Sequence, residues 1–319
     1  MKKILVVILM FIIITTCGAC SKKEAPPVLN RGVVIINPTG PMIIPAIALV
    51  KGQIAANPAI EVKYWKSNDE IVAAFANNTA DFAVLPITLA SNFYAQQKNL
   101  VLLGVHEWKV FYMIASDKSP FTSWSALKGK SIYTPPGRGN TIDVLLRIAI
   151  TNAGLIPDED VKILYTAPQE IVVLYQAGNV DYAALPEPFV TAGLKAGGSI
   201  AVDFQDYWQE LTDGANRLPI AGLFVSSAFL EAYPDAVKSV ESSFAESVQW
   251  SIDNLSSAIE LSRDDLNIQV PIITEAMERI DFHYVPIKEC KEETQNYLRL
   301  MQQYYPEGIP TLPDEGFYY

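Results

Sequence analysis

The chain carries one structural unit twice, one hundred residues apart, and this limits its fold more than any other feature. Glu70-Ile71-Val72 recurs as Glu170-Ile171-Val172. Asp81-Phe82-Ala83-Val84-Leu85-Pro86 recurs as Asp181-Tyr182-Ala183-Ala184-Leu185-Pro186, so seven of the 17 aligned positions from 70 to 86 are identical. Upstream, Glu61-Val62-Lys63 matches Asp160-Val161-Lys162 after a one-residue shift. Each copy opens on an apolar run and a Gly/Pro loop, Val33 to Asn37 before Pro38-Thr39-Gly40-Pro41 and Ser131 to Tyr133 before Thr134-Pro135-Pro136-Gly137-Arg138-Gly139-Asn140. A period of this length marks a duplicated supersecondary unit.

Each copy reads as strand, loop, helix, strand, helix, strand. Val33–Ile36 and Val62–Trp65 are β-branched and aromatic runs of strand length. Residues 70–76 and 170–176 place Ile, Val and an aromatic at helical spacing. Ser67-Asn68-Asp69-Glu70 and Thr166-Ala167-Pro168-Gln169 fit capping boxes, and Asn140 precedes Asp143 by three residues. Strands alternating with helices predict α/β architecture with a mainly parallel sheet covered on both faces. Two copies predict two similar α/β lobes. Lobe I is expected over 31–114 together with 220–319, and lobe II over 115–219. Val110–Ser116 and Ile220–Ser226 are read as two crossover strands joining the lobes. Residues 228–304 read as strongly helical, with breaks at Pro234, Pro271 and Pro286. Val237, Val240, Phe244, Val248 and Ile252 make one apolar face there, expected to pack back on lobe I.

The N-terminus reads as an address. Met1-Lys2-Lys3 precedes eleven apolar residues, Ile4 to Ile14. At 1.5 Å per residue these reach roughly 16 Å, too short for a ~30 Å hydrocarbon core but suited to a secretory signal. The small residues that follow, Cys17-Gly18-Ala19-Cys20, resemble a bacterial lipobox with Cys17 where Leu is usual. That resemblance implies a signal peptide over 1–19, acylation of Cys20 and a polar, Pro-containing tether over 20–30. Cleavage before Cys17, or an ordinary secretory signal with a chance Cys, are the alternatives. Only 18% of residues are charged and half are apolar, which excludes a disordered chain. The 24 basic and 35 acidic side chains give a net charge of −11, against a nucleic-acid binder. Two His and three Cys leave no His- or Cys-rich metal site.

Ala126-Leu127-Lys128-Gly129-Lys130, the Pro/Gly loop, Gly154-Leu155, Asp160-Val161, Gly178-Asn179-Val180-Asp181 and Glu187-Pro188 follow one family's order and spacing. With the lipobox, they resemble the solute-binding lipoprotein of an ABC importer. The likeness is to the branch binding nitrate, taurine, aliphatic sulfonates or thiamine-pyrimidine precursors. It implies a type II periplasmic-binding-protein fold that closes on a small molecule in a cleft between the two lobes. It also implies partnership with a membrane permease and its cytoplasmic ATPase, with an extracytoplasmic, lipid-anchored location on the bacterial membrane. A monomer without cofactor, catalysis or nucleic-acid partner is expected. Glu187 stands where the sulfonate binders often carry Trp, which weighs against a sulfonate. An enzyme on the same fold, of the pyrimidine-precursor or menaquinone-pathway type, would need a cytoplasmic protein and a His, Cys or Lys set in the cleft. A ligand-sensing lipoprotein is the third reading.

In doubly wound sheets ligands bind beyond the carboxyl ends of strands, where helix N-termini converge. That rule nominates Asn37, Thr39, Gly40, Pro41, Ser67, Asn68, Pro86, Ile87, Thr88, Thr134, Gly139, Asn140, Thr141, Glu187 and Pro188. Helix N-termini favour an anionic or carbonyl-bearing ligand. Arg138, between two glycines, could grip an oxyanion or point into solvent. Glu187 could accept from a ligand N–H or merely charge a helix start. Trp108 and Tyr112 could stack on a ligand or belong to the core. His106 and His283 are too few and too far apart for catalysis, and Cys290 reads as a small buried hydrophobe. Gly137-Arg138-Gly139-Asn140-Thr141 lacks the Lys-Ser/Thr ending of a phosphate-binding loop.

Overall fold

The computed structural model describes residues 29–97, 99–214, 217–266 and 268–319, so Cys20, the signal segment and nearly all the tether lie outside the described residues. The first sheet begins with β1 (Val33–Pro38), β2 (Ile60–Trp65) and β3 (Phe82–Pro86), parallel to one another with β1 in the middle. Helix α1 (Ile43–Val50) is apolar almost all round and correspondingly buried. Helix α2 (Asn68–Ala76) is capped by Ser67, whose hydroxyl accepts the Glu70 N–H at 3.4 Å. Helix α3 (Ile87–Gln97) starts directly after Pro86, and β4 (Leu100–Lys109) returns through the core.

The chain then changes sheets at Val110. The second sheet holds β5 (Phe111–Ala115), β6 (Ser131–Thr134), β7 (Lys162–Tyr165), β8 (Tyr182–Pro186) and β9 (Ser199–Asp203). Their intervening helices are α4 (Thr141–Asn152), α5 (Pro168–Gln176), α6 (Phe189–Leu194) and, after β9, α7 (Phe204–Leu211). From Leu218 the chain re-enters the first sheet as β10 (Ala221–Ser226). Helices α8 (Ser227–Ala232), α9 (Pro234–Asp253), α10 (Leu255–Leu266) and α11 (Val270–Met277) follow, then β11 (Asp281–Pro286) and α12 (Ile287–Tyr304). The strand orders are β2-β1-β3-β10-β4-β11 and β7-β6-β8-β5-β9.

The repeat survives as register. Phe82 and Ala83 lie opposite Ile35 and Ile36, while Tyr182 and Ala183 lie opposite Ile132 and Tyr133. On its other side each repeated strand meets an antiparallel strand, β3 meeting β10 with Pro86 opposite Ala221 and β8 meeting β5 with Pro186 opposite Phe111. Two mixed α/β lobes result, their parallel cores preceded and followed by antiparallel additions.

Four details depart from the sequence reading. Residues 111–115 pair in the second sheet, and 221–226 pair wholly in the first. The crossings are therefore two short bends, at Val110 and at 217–220, because full ladder hydrogen bonding claims both neighbouring strands. Residues 281–286 form a strand within the segment read as helical, antiparallel to β4. Pro234 and Pro271 open α9 and α11 at positions whose N–H no helix would use, and Pro286 ends β11 just ahead of α12. The cap of α5 is Ala167, not Thr166, because Pro168 occupies the first helical turn, and the Thr166 hydroxyl turns to Glu170.

Helix α9 buries Val237, Val240, Phe244 and Val248, leaving Ile252 41% exposed at its end. Its Ser247 and Ser251 hydroxyls donate to the Pro45 and Ile44 carbonyls of α1 at 2.7 and 2.8 Å. Helix α12 instead lies across both lobes, with the Tyr297 and Thr141 hydroxyls 2.7 Å apart.

Candidate ligand-binding site

A cavity of about 290 Å³ lies between the two sheets beside both crossings. Lobe I contributes Pro41, Met42, Pro86, Thr88, Glu107 and Ile220. Lobe II contributes Pro135, Asn140, Thr141, Ile142, Pro186, Glu187 and Phe189, and Val110 and Phe111 bridge the first crossing. Corresponding ends of the repeated strands, Pro86 and Pro186, thus face the same space. The prolines do so because neither can extend its strand by an N–H, and each hands the chain to a following helix.

The first turn of α4 is held in place by a buried network. Asn140 accepts the Asp143 N–H at 2.9 Å, and Asp143 accepts the Gly139 N–H at 2.7 Å, a reciprocal cap. Arg147 reaches Asp143 at 3.1 Å and Asp158 at 2.9 Å, and the Tyr165 hydroxyl donates to Asp143 at 2.6 Å. Gly139 has φ +87°, and a Cβ there would fall 2.2 Å from the Tyr305 ring, so only glycine permits this approach between the α4 loop and the end of α12.

Glu187 is 1% exposed and fully engaged. One oxygen accepts from Arg279 Nε at 2.5 Å, and the other accepts the Thr191 N–H at 3.0 Å and its hydroxyl at 2.8 Å. Arg279 precedes β11 in lobe I, so this ion pair spans the lobes. Its carbonyl accepts from the Tyr112 hydroxyl at 2.6 Å, and Lys195 pairs with Glu275 alongside. The arrangement is a closed one, with charged groups of both lobes in direct contact.

Of the residues nominated by sequence, Pro41, Pro86, Thr88, Asn140, Thr141 and Glu187 line the cavity. Asn37 is wholly buried beneath it, donating to the Pro38 and Met42 carbonyls at 2.9 and 3.0 Å and so shaping the loop that contains Thr39 and Gly40. Ser67 and Asn68 are spent on the start of α2. Ile87 and Thr134 are buried, and Pro188 caps α6 behind Glu187. Trp108 is 1% exposed and does not reach the cavity. Its indole donates to the His283 carbonyl at 2.9 Å, and the Arg217 guanidinium sits 4.1 Å from its ring, pinning the second crossing. Tyr112 serves the lobe contact described above. Arg138 does not line this cavity: it pairs with Asp158 at 3.2 Å and borders an adjoining groove, with Gly139, Tyr305 and Gly308, that shares Thr88 and Asn140 with the cavity. A Gly-flanked loop turns its side chain to whichever carboxylate is near, and Asp158 is on the outside.

Glu107 is the residue sequence reasoning passed over. It is 6% exposed, lines the cavity, and burial pushes its carboxyl up to about 8. The adjacent His106 faces the other side, between Phe244 and Phe282, where burial pushes it down to about 3. Several of the helix-start donors near the cavity are taken up within the chain. The helix-start N–H groups of Ile43, Ile44, Ile87 and Asp143 are already bonded to Gly40, Pro41, Ile220 and Asn140. The cavity wall holds two carboxyls and no basic side chain among the described residues.

Comparison with known proteins agrees with this architecture. The model of the NMT1-like family matches residues 46–261. The chain belongs to the NMT1-like family. Among solved structures, an ABC transporter protein from Parabacteroides distasonis is similar at 23% identity over 91% of this chain and 99% of that one, with a TM-score of 0.77. The periplasmic aliphatic sulphonate binding protein of Escherichia coli follows at 18% identity, 91% and 92% coverage and a TM-score of 0.71. The periplasmic nitrate-binding protein of Synechocystis PCC 6803 matches at 16% identity, 90% and 82% coverage and a TM-score of 0.66. No curated protein matches the chain. The fold is that of the periplasmic binding proteins of ABC transporters.

Proposed function

We propose that this member of the NMT1-like family is the extracytoplasmic solute-binding lipoprotein of an ABC importer. Residues 1–19 are removed as signal, Cys20 carries the lipid, and the tether to residue 30 lets the body range over the membrane surface. Lobe I, built from 31–110 and 220–319, and lobe II, built from 111–219, close on a small polar organic ligand, and the closed form docks on the permease. The observation that carries this reading is the cavity between the lobes, walled by matching strand ends of the repeat and flanked by both chain crossings. Closure of such a site is a population shift, because a ligand touches both walls only in the closed state. No catalytic role is assigned: His106 is sealed in the core and Cys290 in another part of it, and neither meets the cavity.

The test is recovery of the lipidated chain from detergent-solubilised host membranes with the transporter trapped by vanadate. A multi-span permease and its ATPase should co-purify in stoichiometric amount. Co-purification of a receptor kinase in their place would establish the sensing role, and recovery of the chain alone would refute both.

A further inference from the structure

Glu107 is the one carboxyl of the cavity that the chain leaves without a partner. Among the described residues, no ion pair or side-chain hydrogen bond reaches it, although only 6% of the residue is exposed. Its backbone is fixed, since its carbonyl accepts the Ile220 N–H at 2.9 Å, so the side chain cannot swing to solvent without breaking the strand register between β4 and β10. Every basic group around the crossings is committed elsewhere. Lys109 pairs with Asp203 at 2.5 Å, Arg217 with Glu293 at 2.7 Å, and Arg279 with Glu187. A buried carboxyl without a counter-charge is costly, and proteins ordinarily pair it. Here the only open direction is the cavity, whose remaining wall is largely apolar through Met42, Val110, Phe111, Phe189 and Ile220.

We infer that Glu107 is the specificity-determining contact for a ligand bearing a protonated or hydrogen-bond-donating nitrogen, a small amine or amidine, and that the cavity rejects oxyanions. This rests on the solute-binding reading and deepens it. A nitrogen cation would complete the one unpaired group in the wall, and the apolar surfaces would cover the rest of a small organic body. A nitrogen cation would displace the Glu107 proton and pair with the carboxylate, whereas an oxyanion finds no guanidinium or ammonium in the cavity wall. Without a ligand, burial keeps the Glu107 carboxyl protonated up to about pH 8, and an approaching cation would draw that proton off.

The experiment is calorimetric titration of the mature chain with three probes of one shape and different charge, namely benzamidinium, benzamide and benzoate, together with methanesulfonate and nitrate. Benzamidinium should bind saturably and benzoate, methanesulfonate and nitrate should not. Glu107→Gln, checked for folding by thermal melt, should weaken benzamidinium at least tenfold and leave benzamide within twofold. The inference is overturned by any oxyanion binding more tightly than benzamidinium, by absence of benzamidinium binding to the wild type, or by unchanged benzamidinium affinity in the variant. The wild-type probe series stands even where the variant misfolds. Recovery of the permease complex draws on whatever ligand the host supplies and not on its charge class, so either claim can fail while the other holds.

Discussion

Replacing Arg279 by Ala removes the charge that ties lobe I to lobe II, and its effect can be worked from the geometry. The guanidinium donates to Glu187 at 2.5 Å and also to the Thr191 hydroxyl. Charge-assisted hydrogen bonds contribute about 1.5–3 kcal/mol each before solvent competition. The Arg279 side chain is 21% exposed, so water returns part of that, leaving roughly 2 kcal/mol in favour of the closed arrangement. In an open arrangement both groups are hydrated and the substitution costs little. At about 1.4 kcal/mol per factor of ten, the ratio of closed to open molecules should fall roughly thirtyfold. Single-molecule energy transfer reads this directly, with dyes on cysteines placed at Glu61 and Lys162 and Cys20 replaced by Ser. The ligand-free variant should populate a lower-transfer, open state that the wild type visits rarely. Global unfolding should move little, since the apolar core that runs from lobe I into lobe II is left untouched. In a Glu187→Gln background the same substitution should cost much less, because the charge it serves is gone. An unchanged transfer distribution in the folded variant would refute the latch.

Three further outcomes are expected. Folded Glu107 holds its proton to about pH 8 while the unfolded chain releases it near 4.5, so wild-type stability should fall between those values by about 1.4 kcal/mol per pH unit, and thermal melts of Glu107→Gln should lose that slope. Asp158 is shared by two arginines with opposite prospects: Arg138→Ala, at an exposed pair, should cost under about 1 kcal/mol in denaturant unfolding, whereas Arg147→Ala should cost about 3–5 kcal/mol by leaving Asp143 buried without its partner. Gly139→Ala places a methyl group against Tyr305 at a positive φ and should weaken the contact between the α4 loop and α12, seen as faster amide exchange at residues 137–141, with unaltered exchange refuting the steric argument.

The duplicated fold was legible because its evidence is periodic. Strands of period 2 and helices of period 3.6 each bury one face, and the same residues at 82–86 and 182–186 then take the same register in two sheets. What the sequence hid were elements without a local signature. Strand β11 lies in a charged, Tyr-containing stretch, and only its pairing with β4 makes it a strand. Each crossing lies a few residues from the position the sequence suggests, since a mostly apolar stretch from 100 to 115 says nothing about where the chain leaves one sheet for the next. Ladder hydrogen bonds decide that, and they are long-range.

The site was legible as loops and not as chemistry. Strand ends and helix starts nominated Pro41, Pro86, Thr88, Asn140, Thr141 and Glu187, because topology alone brings such positions together. The charge of the ligand could not be read the same way. Helix N-termini argue for an anion only while their N–H groups are free, and the chain's own turns take up those of Ile43, Ile44, Ile87 and Asp143. Arg138 offered the right charge in the right loop, but Asp158, close in space through the turn after α4, draws it outward. Glu107 sits mid-sequence in an apolar strand beside a histidine and a tryptophan, where a carboxylate looks like an interruption. Strand alternation sends His106 and Trp108 away from the face that carries Glu107, so the three neighbours end in a core, a cavity and a hinge clamp. A single acidic residue in a run that should be wholly buried, with no basic partner in reach, is therefore the signal to seek, since burying it has a cost that packing alone does not repay.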